Sequence, residues 1–173
     1  MGVPREGWEG RRPATDAEAR ALASAVRLQI LRLCLDRPLT NREIATRLDR
    51  NPASVLHHVR TLVDTGFLVA EPARRGTRGA REVPYRSTGR SWELDFSGRP
   101  QPARNPVLAA FLAEVAVAGE QRLQSTRLAL RLTPAHREEF EEELHQLLDR
   151  WAQRPPDEDG ERWSLFLGLH PEE

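Results

Sequence analysis

The sequence predicts a mainly helical α+β fold, and three observations carry that prediction. Residues 40–48 and 52–65 read as two helices separated by the three-residue turn Asp49-Arg50-Asn51. Two extended stretches follow, 67–71 and 82–88, joined by an Arg-rich loop that cannot bury a core. Beyond residue 105 come two longer apolar-striped helices and two stretches in which apolar and other residues alternate. The contrast between a period near 3.6 and a period of two separates helix from strand in these segments.

A chain of 173 residues accommodates one domain, or a small domain with an appendage. No apolar run approaches the ~18 residues of a membrane span. Residues 1–14 lack the apolar core of a signal peptide, and their Gly, Pro and charge predict disorder. A single cysteine, Cys34, leaves no disulfide framework and no cysteine-rich zinc site. A cytoplasmic location is the expectation. Net charge is zero, but it is unevenly spread. Residues 1–104 carry 19 Arg against 12 Asp and Glu, a net of +7, and residues 105–173 carry 7 against 14, a net of −7. The basic part is the candidate for phosphate contact.

The first helix is expected from Thr15 or Asp16 to about residue 36, with Leu22, Val26, Ile30, Leu31 and Leu35 on its apolar face. Cys34 within it reads as a small buried hydrophobe. Pro38 separates it from the next helix, which Thr40 and Glu43 open as a capping box, with Leu39 and Ile44 at the staple positions. Asn51 caps the following helix and Pro52 suits its first position. Val55, Val59 and Leu62 recur at helical spacing and face inward, while Gly66 stops the helix. Ser54, His57, Arg60 and Thr61 share the opposite face, and none is acidic. Short helix, tight turn and second helix make a helix-turn-helix, and such a polar face suits a DNA major groove. Asn41 and Arg42 are placed to meet phosphate, and Asn51, at the start of the second helix, is counted with them among the DNA-contacting residues.

After Gly66 the two extended stretches make a β-hairpin wing, with Pro84 marking an edge strand. Arg74, Arg75, Arg78 and Arg81 in its loop would lie on an adjacent minor groove or on the backbone. Residues 89–104 read as a linker in which Trp92, Leu94 and Phe96 alternate and pack on the wing. The DNA-binding domain is thus expected over 15–98.

Residues 20–88 resemble the winged helix-turn-helix domain of ArsR-type bacterial transcription regulators. The stretches that carry the resemblance are AVRLQILRLCLD, PLTNREIATRLDR, NPASVLHHVRTLVDTGFLV and RRGTRGAREVPYRST. It implies a homodimer on a partly palindromic operator. It does not imply metal sensing. The helix before the recognition helix has no cysteine pair, and the candidate dimer helix has neither Asp nor His.

The region 105–173 is expected to serve dimerisation and effector response. Asn105-Pro106 opens a helix over 106–125 whose Leu108, Phe111, Leu112 and Val115 face a partner subunit under the resemblance. A helix apolar over so wide a face needs more cover than a small domain offers. Then come a strand at 127–132, a helix to about 153 striped by Phe140, Leu144, Leu147, Leu148 and Trp151, and a strand at 163–170. Two strands are too few for a stable sheet, so they pair with the partner subunit or cover the dimer helix. Two readings of this unit stand: a lid that stabilises the dimer, or an apolar pocket for a small organic effector.

Catalytic chemistry finds no footing. No HExxH, carboxylate–His cluster or Gly-rich phosphate loop is present, and no nucleophile stands beside His57. No cofactor, metal or enzyme activity is expected. A winged-helix module that meets a protein or RNA is the alternative to double-stranded DNA, since one fold serves both.

Overall fold

Thr15 and Glu18 start the first helix of the computed structural model, which describes residues 11–75, 81–96, 105–155, 157 and 159–171. The Thr15 hydroxyl accepts from the Glu18 amide at 3.3 Å, and the Glu18 carboxylate accepts from the Thr15 amide at 2.8 Å. This helix, α1 (Asp16–Leu22), is followed by α2 (Ala25–Leu33), so the single helix expected over 15–36 is two. The break is stabilised from a distance. Arg27 of α2 donates from Nη2 to the Arg20 carbonyl at 2.6 Å and from Nε to the Ala21 carbonyl, taking oxygens that α1 leaves unpaired at its end.

Residues 11–14 are ordered, contrary to the expectation for the N-terminus; residues 1–10 lie outside the described residues. Strand β1 (Arg12–Pro13) pairs in parallel with a late strand, Leu94–Asp95, and the Ala14 amide donates to Asp95 at 2.9 Å. The stretch 89–96 is accordingly no linker. A 3-10 turn at Arg90–Glu93 brings Leu94 into the core, with Phe96 packed beside it, while Trp92 stays exposed beneath the Arg11 guanidinium. The rest of that segment, 97–104, lies outside the described residues.

Strand β2 (Leu39–Thr40) leads into α3 (Asn41–Arg47) and then α4 (Pro52–Asp64). The Thr40–Glu43 capping box and the Asn51 cap form as the residue types dictate. Asp49 takes a positive φ of 49° in the turn between the helices, a conformation that Asp tolerates better than most residues. Gly66 ends α4 at φ 75°, and a Cβ there would meet Arg90 Nη1 at 2.5 Å. The wing follows as β3 (Leu68–Ala70), β4 (Arg74–Arg75), β5 (Arg81–Glu82) and β6 (Pro84–Ser87), ahead of β7 (Leu94–Asp95). One antiparallel sheet has the order β2-β6-β3, and β4 pairs with β5 at the base of the loop. The core lies beneath: Ile30, Ile44, Val55, Val59, Leu62, Phe67, Leu68 and Leu94 are all buried.

The first compact unit spans Met1–Ala118 and includes α5 (Pro106–Ala118), which packs on α2 and buries Ala110. Asn105 caps α5 through its side-chain oxygen, 2.9 Å from the Val107 amide. The helix expected to reach residue 125 stops at Ala118, because Gly119 adopts φ 92° and a 3-10 turn follows at Glu120–Arg122. The second unit, Gly119–Glu173, is built on α6 (Pro134–Ala152), capped by Thr133. The two strands expected at 127–132 and 163–170 do not form; both stretches are irregular. Their alternation needs a neighbouring strand to take up its amides and carbonyls. The apolar stripe of α6 is present but uncovered: Leu147 and Trp151 are exposed, and Phe140, Leu144 and Leu148 are half-buried.

Glu18 gives the first unit an acid-sensitive lock. It is buried, and Arg12 donates to both its oxygens, with Arg90 Nη2 3.9 Å away. The Arg12 hydrogen bonds hold its pKa down at about 2, against the opposing effect of burial, with the Thr15 bonds adding to the depression. A carboxyl depressed on folding stabilises the fold fully above its unfolded pKa near 4.3 and loses that contribution as pH falls toward 2. Chemical denaturation from pH 5 to pH 2 should show the parent losing stability more steeply than Glu18→Gln. Equal slopes would place the acid sensitivity elsewhere.

Candidate nucleic-acid interface

The exposed side of α4 carries the residues the helical period assigned to it. Ser54, His57 and Arg60 are exposed and Thr61 is half-exposed, while Val55, Val59 and Leu62 are fully buried beneath them. The helix has a single acidic residue, Asp64, in its last turn. Arg60 has no intramolecular partner among the described residues, so its guanidinium is free to meet another molecule. The Thr61 hydroxyl donates to the His57 carbonyl at 3.1 Å, which leaves it an acceptor toward a ligand. His58 turns away from this face. It is half-buried with Nδ1 3.5 Å from Arg27 Nη1, and burial, then the Arg27, His57 and Arg50 charges, lower its pKa below the ordinary imidazole value.

Two asparagines read as DNA contacts have structural work. The Asn41 amide nitrogen donates to the Pro52 carbonyl at 2.9 Å and ties the start of α3 to the first turn of α4. The Asn51 oxygen caps α4 from 2.8 Å. Arg42, beside Asn41, is exposed.

The wing presents Arg75 and Arg81, both exposed and directly opposite each other across β4 and β5. With Ala73 and Arg74 they line a shallow cleft of about 380 Å³. Arg74 is engaged differently: its Nη2 donates to both oxygens of Glu43, at 3.2 and 3.3 Å. Arg78 lies outside the described residues. Sequence reasoning treated Glu43 only as a cap and did not foresee this pair, because nothing local links positions 43 and 74.

Cys34 is fully buried, and burial raises its thiol pKa to about 12, so it packs as a small hydrophobe. On α5, Leu108 and Leu112 are exposed and Phe111 and Val115 half-buried. Among the described residues no helix is long and apolar enough to cross a membrane.

Residues 24–69 match the family model described as the bacterial regulatory protein, arsR family. The match runs from the start of α2 through α4 into β3, so the resemblance read from the sequence holds for this segment. No curated protein matches the chain significantly. Among solved structures, reduced HlyU from Vibrio cholerae is 27% identical over 41% of this chain and 68% of that one, with a TM-score of 0.34. The homodimeric winged helix-turn-helix DNA-binding domain of Mb0332 from Mycobacterium bovis is 25% identical over 65% of this chain and 83% of that one, with a TM-score of 0.36. ZitR from Lactococcus lactis is 17% identical over 81% and 80% of the two chains, with a TM-score of 0.34. The fold is α+β, and the matched segment holds the two helices of a helix-turn-helix followed by the first strand of the wing.

Proposed function

We propose that the chain is a sequence-specific transcription regulator that binds duplex DNA as a homodimer, with α4 in the major groove and the wing on the flanking minor groove or backbone. The observation that carries this reading is the exposed Ser54–His57–Arg60 face, whose guanidinium has no partner among the described residues, on a chain that also exposes the wing arginines Arg75 and Arg81. Arg60 is suited to a guanine edge, which accepts two hydrogen bonds from one guanidinium. Arg42, at the first turn of α3, is suited to a phosphate.

The wing supports the same reading on energetic grounds. Like charges directly opposite on paired strands destabilise a hairpin. Arg75 and Arg81 stand in that register. A phosphate seated between them removes the repulsion and gains two charge-assisted hydrogen bonds. Each arginine that neutralises a phosphate on duplex DNA releases counterions, which adds about 0.9 to the slope of log K against log salt.

Fluorescence anisotropy on a labelled operator duplex across a salt series tests this. Replacing Arg75 and Arg81 together with Ala should weaken binding to every sequence and flatten the slope by about 1.8, two contacts at about 0.9 each. An unchanged slope would remove the wing from the interface.

A further inference from the structure

We propose that Glu43 and Arg74 form a strut that positions the wing for DNA binding, and that Arg74, unlike Arg75 and Arg81, does not contact phosphate. The inference rests on the DNA-binding reading above.

Arg74 is already neutralised within the protein. Its guanidinium is shared between the two oxygens of Glu43, and its cross-strand neighbour in the β4–β5 register is Glu82. Arg75, one residue later, faces Arg81 instead. Of the two cross-strand pairs at the wing base, Arg74–Glu82 is therefore internally compensated, and Arg75–Arg81 is cationic with no acidic partner among the described residues. Only the second gains by meeting a phosphate.

Glu43 is itself held firmly. Its carboxylate accepts from the Thr40 amide at 2.7 Å while its own amide donates to the Thr40 hydroxyl at 3.2 Å. Thr40 is in turn paired with Pro84 of β6, and Asn41 is bonded to the first turn of α4. The first turn of α3 thus touches the central strand of the sheet, the recognition helix and, through Glu43, the base of the wing. A second cleft, of about 260 Å³, is lined by Thr40, Arg42, Glu43, Thr46, Arg47 and Glu82 on the α3 side of this pair. Without the strut, β4 and β5 are two-residue strands carrying an Arg–Arg repulsion. A hairpin that short is marginal by itself. Holding it in register before DNA arrives reduces the ordering cost of binding.

Glu43→Gln separates this role from capping, because Gln serves at the third helical position of a capping box as Glu does. The full-length protein and three variants, Glu43→Gln, Arg74→Ala and the double variant, are compared in two ways. Amide hydrogen exchange without DNA reads wing order directly. Exchange at 74–75 and 81–82 should rise in all three, with an unchanged thermal midpoint for Glu43→Gln. Salt-dependent operator binding reads the consequence. Each single variant should weaken binding by about twofold to fivefold, the range of one exposed ion pair, with the salt slope unchanged and the double variant no worse than either. Arg75→Ala, measured alongside, should lower the slope by about 0.9. The strut is refuted if exchange is unchanged in Glu43→Gln, or if Arg74→Ala flattens the slope as Arg75→Ala does. A parent protein that binds no duplex refutes the DNA-binding reading and with it the role in binding, while the exchange data still decide whether the strut exists.

Discussion

Leu112→Glu is expected to yield monomers that hold one half-site and bind the operator about 100-fold or more weakly than the parent. The expectation follows from how α5 is covered. Its sequence, PVLAAFLAEVAVA, has one charged residue in thirteen. Packing on α2 buries Ala110, yet Val107, Leu108, Leu112 and Val117 stay exposed, Val117 at 89%. An apolar face of this extent on a helix end calls for a partner. A second copy related by a twofold axis would cover it with the same residues. Linking two half-site readers makes the second contact intramolecular, which typically multiplies affinity by about 10² to 10⁴. A carboxylate at Leu112 would have to be desolvated in that interface without a partner, so the subunits separate instead. Leu112 is outside the core of the first unit, so the variant should stay folded by circular dichroism. Sedimentation velocity decides the matter: a parent that sediments as a monomer, or a Leu112→Glu variant that still sediments as a dimer, contradicts this account of α5.

Arg60→Ala is the second large effect. If the Arg60 guanidinium reads a guanine edge, its removal costs about 1–3 kcal/mol per half-site, roughly a 5-fold to 150-fold loss. Three features of the structure make the loss specific. Arg60 is exposed, it has no partner among the described residues, and its neighbours Val59 and Leu62 anchor the helix in the core. Truncating it therefore leaves the fold alone. The loss should be large on the selected operator and small on a duplex of unrelated sequence, so that the ratio of the two affinities falls. A wing variant should behave in the opposite way, weakening both alike. If Arg60→Ala binds the operator as tightly as the parent, α4 is not the reading helix.

The elements that were legible in the sequence are those whose signals are local. The Thr40–Glu43 box and the Asn51-Pro52 start are set by residues within one turn, and the Val55, Val59, Leu62 stripe fixes which side of α4 faces out. Elements that depend on distant partners were not legible. The break between α1 and α2 is capped by Arg27, whose guanidinium reaches back six and seven residues. Strand β1 pairs with β7 across some eighty residues in strands of two residues each, too short to leave a periodic trace. Leu39 and Thr40 serve at once as a third strand and as a helix start, and only the second role has a local signature. The alternating stretches at 127–132 and 163–170 mislead for the complementary reason: strand periodicity is necessary for a sheet, but a strand also requires a neighbour.

At the candidate site, residue type picked out the polar face of α4, and the fold shows which of the chosen side chains are bonded within the protein. Ser54, His57 and Arg60 stand where the helical period put them. Asn41, Asn51 and Arg74 are polar residues that each commit a hydrogen-bonding group inside the protein: the Asn41 amide nitrogen, the Asn51 oxygen and Nη2 of Arg74. A sequence shows that a side chain can bond to phosphate; only the fold shows that it is already bonded elsewhere.

The central claim is that α4 reads duplex DNA by sequence, and selection of bound fragments from genomic DNA at physiological salt by the full chain tests it most directly. The expected result is convergence on an inverted repeat whose half-site centres lie about one helical turn, about 10 base pairs, apart. Recovery of fragments that share no motif, or retention that salt abolishes equally for all sequences, would contradict it.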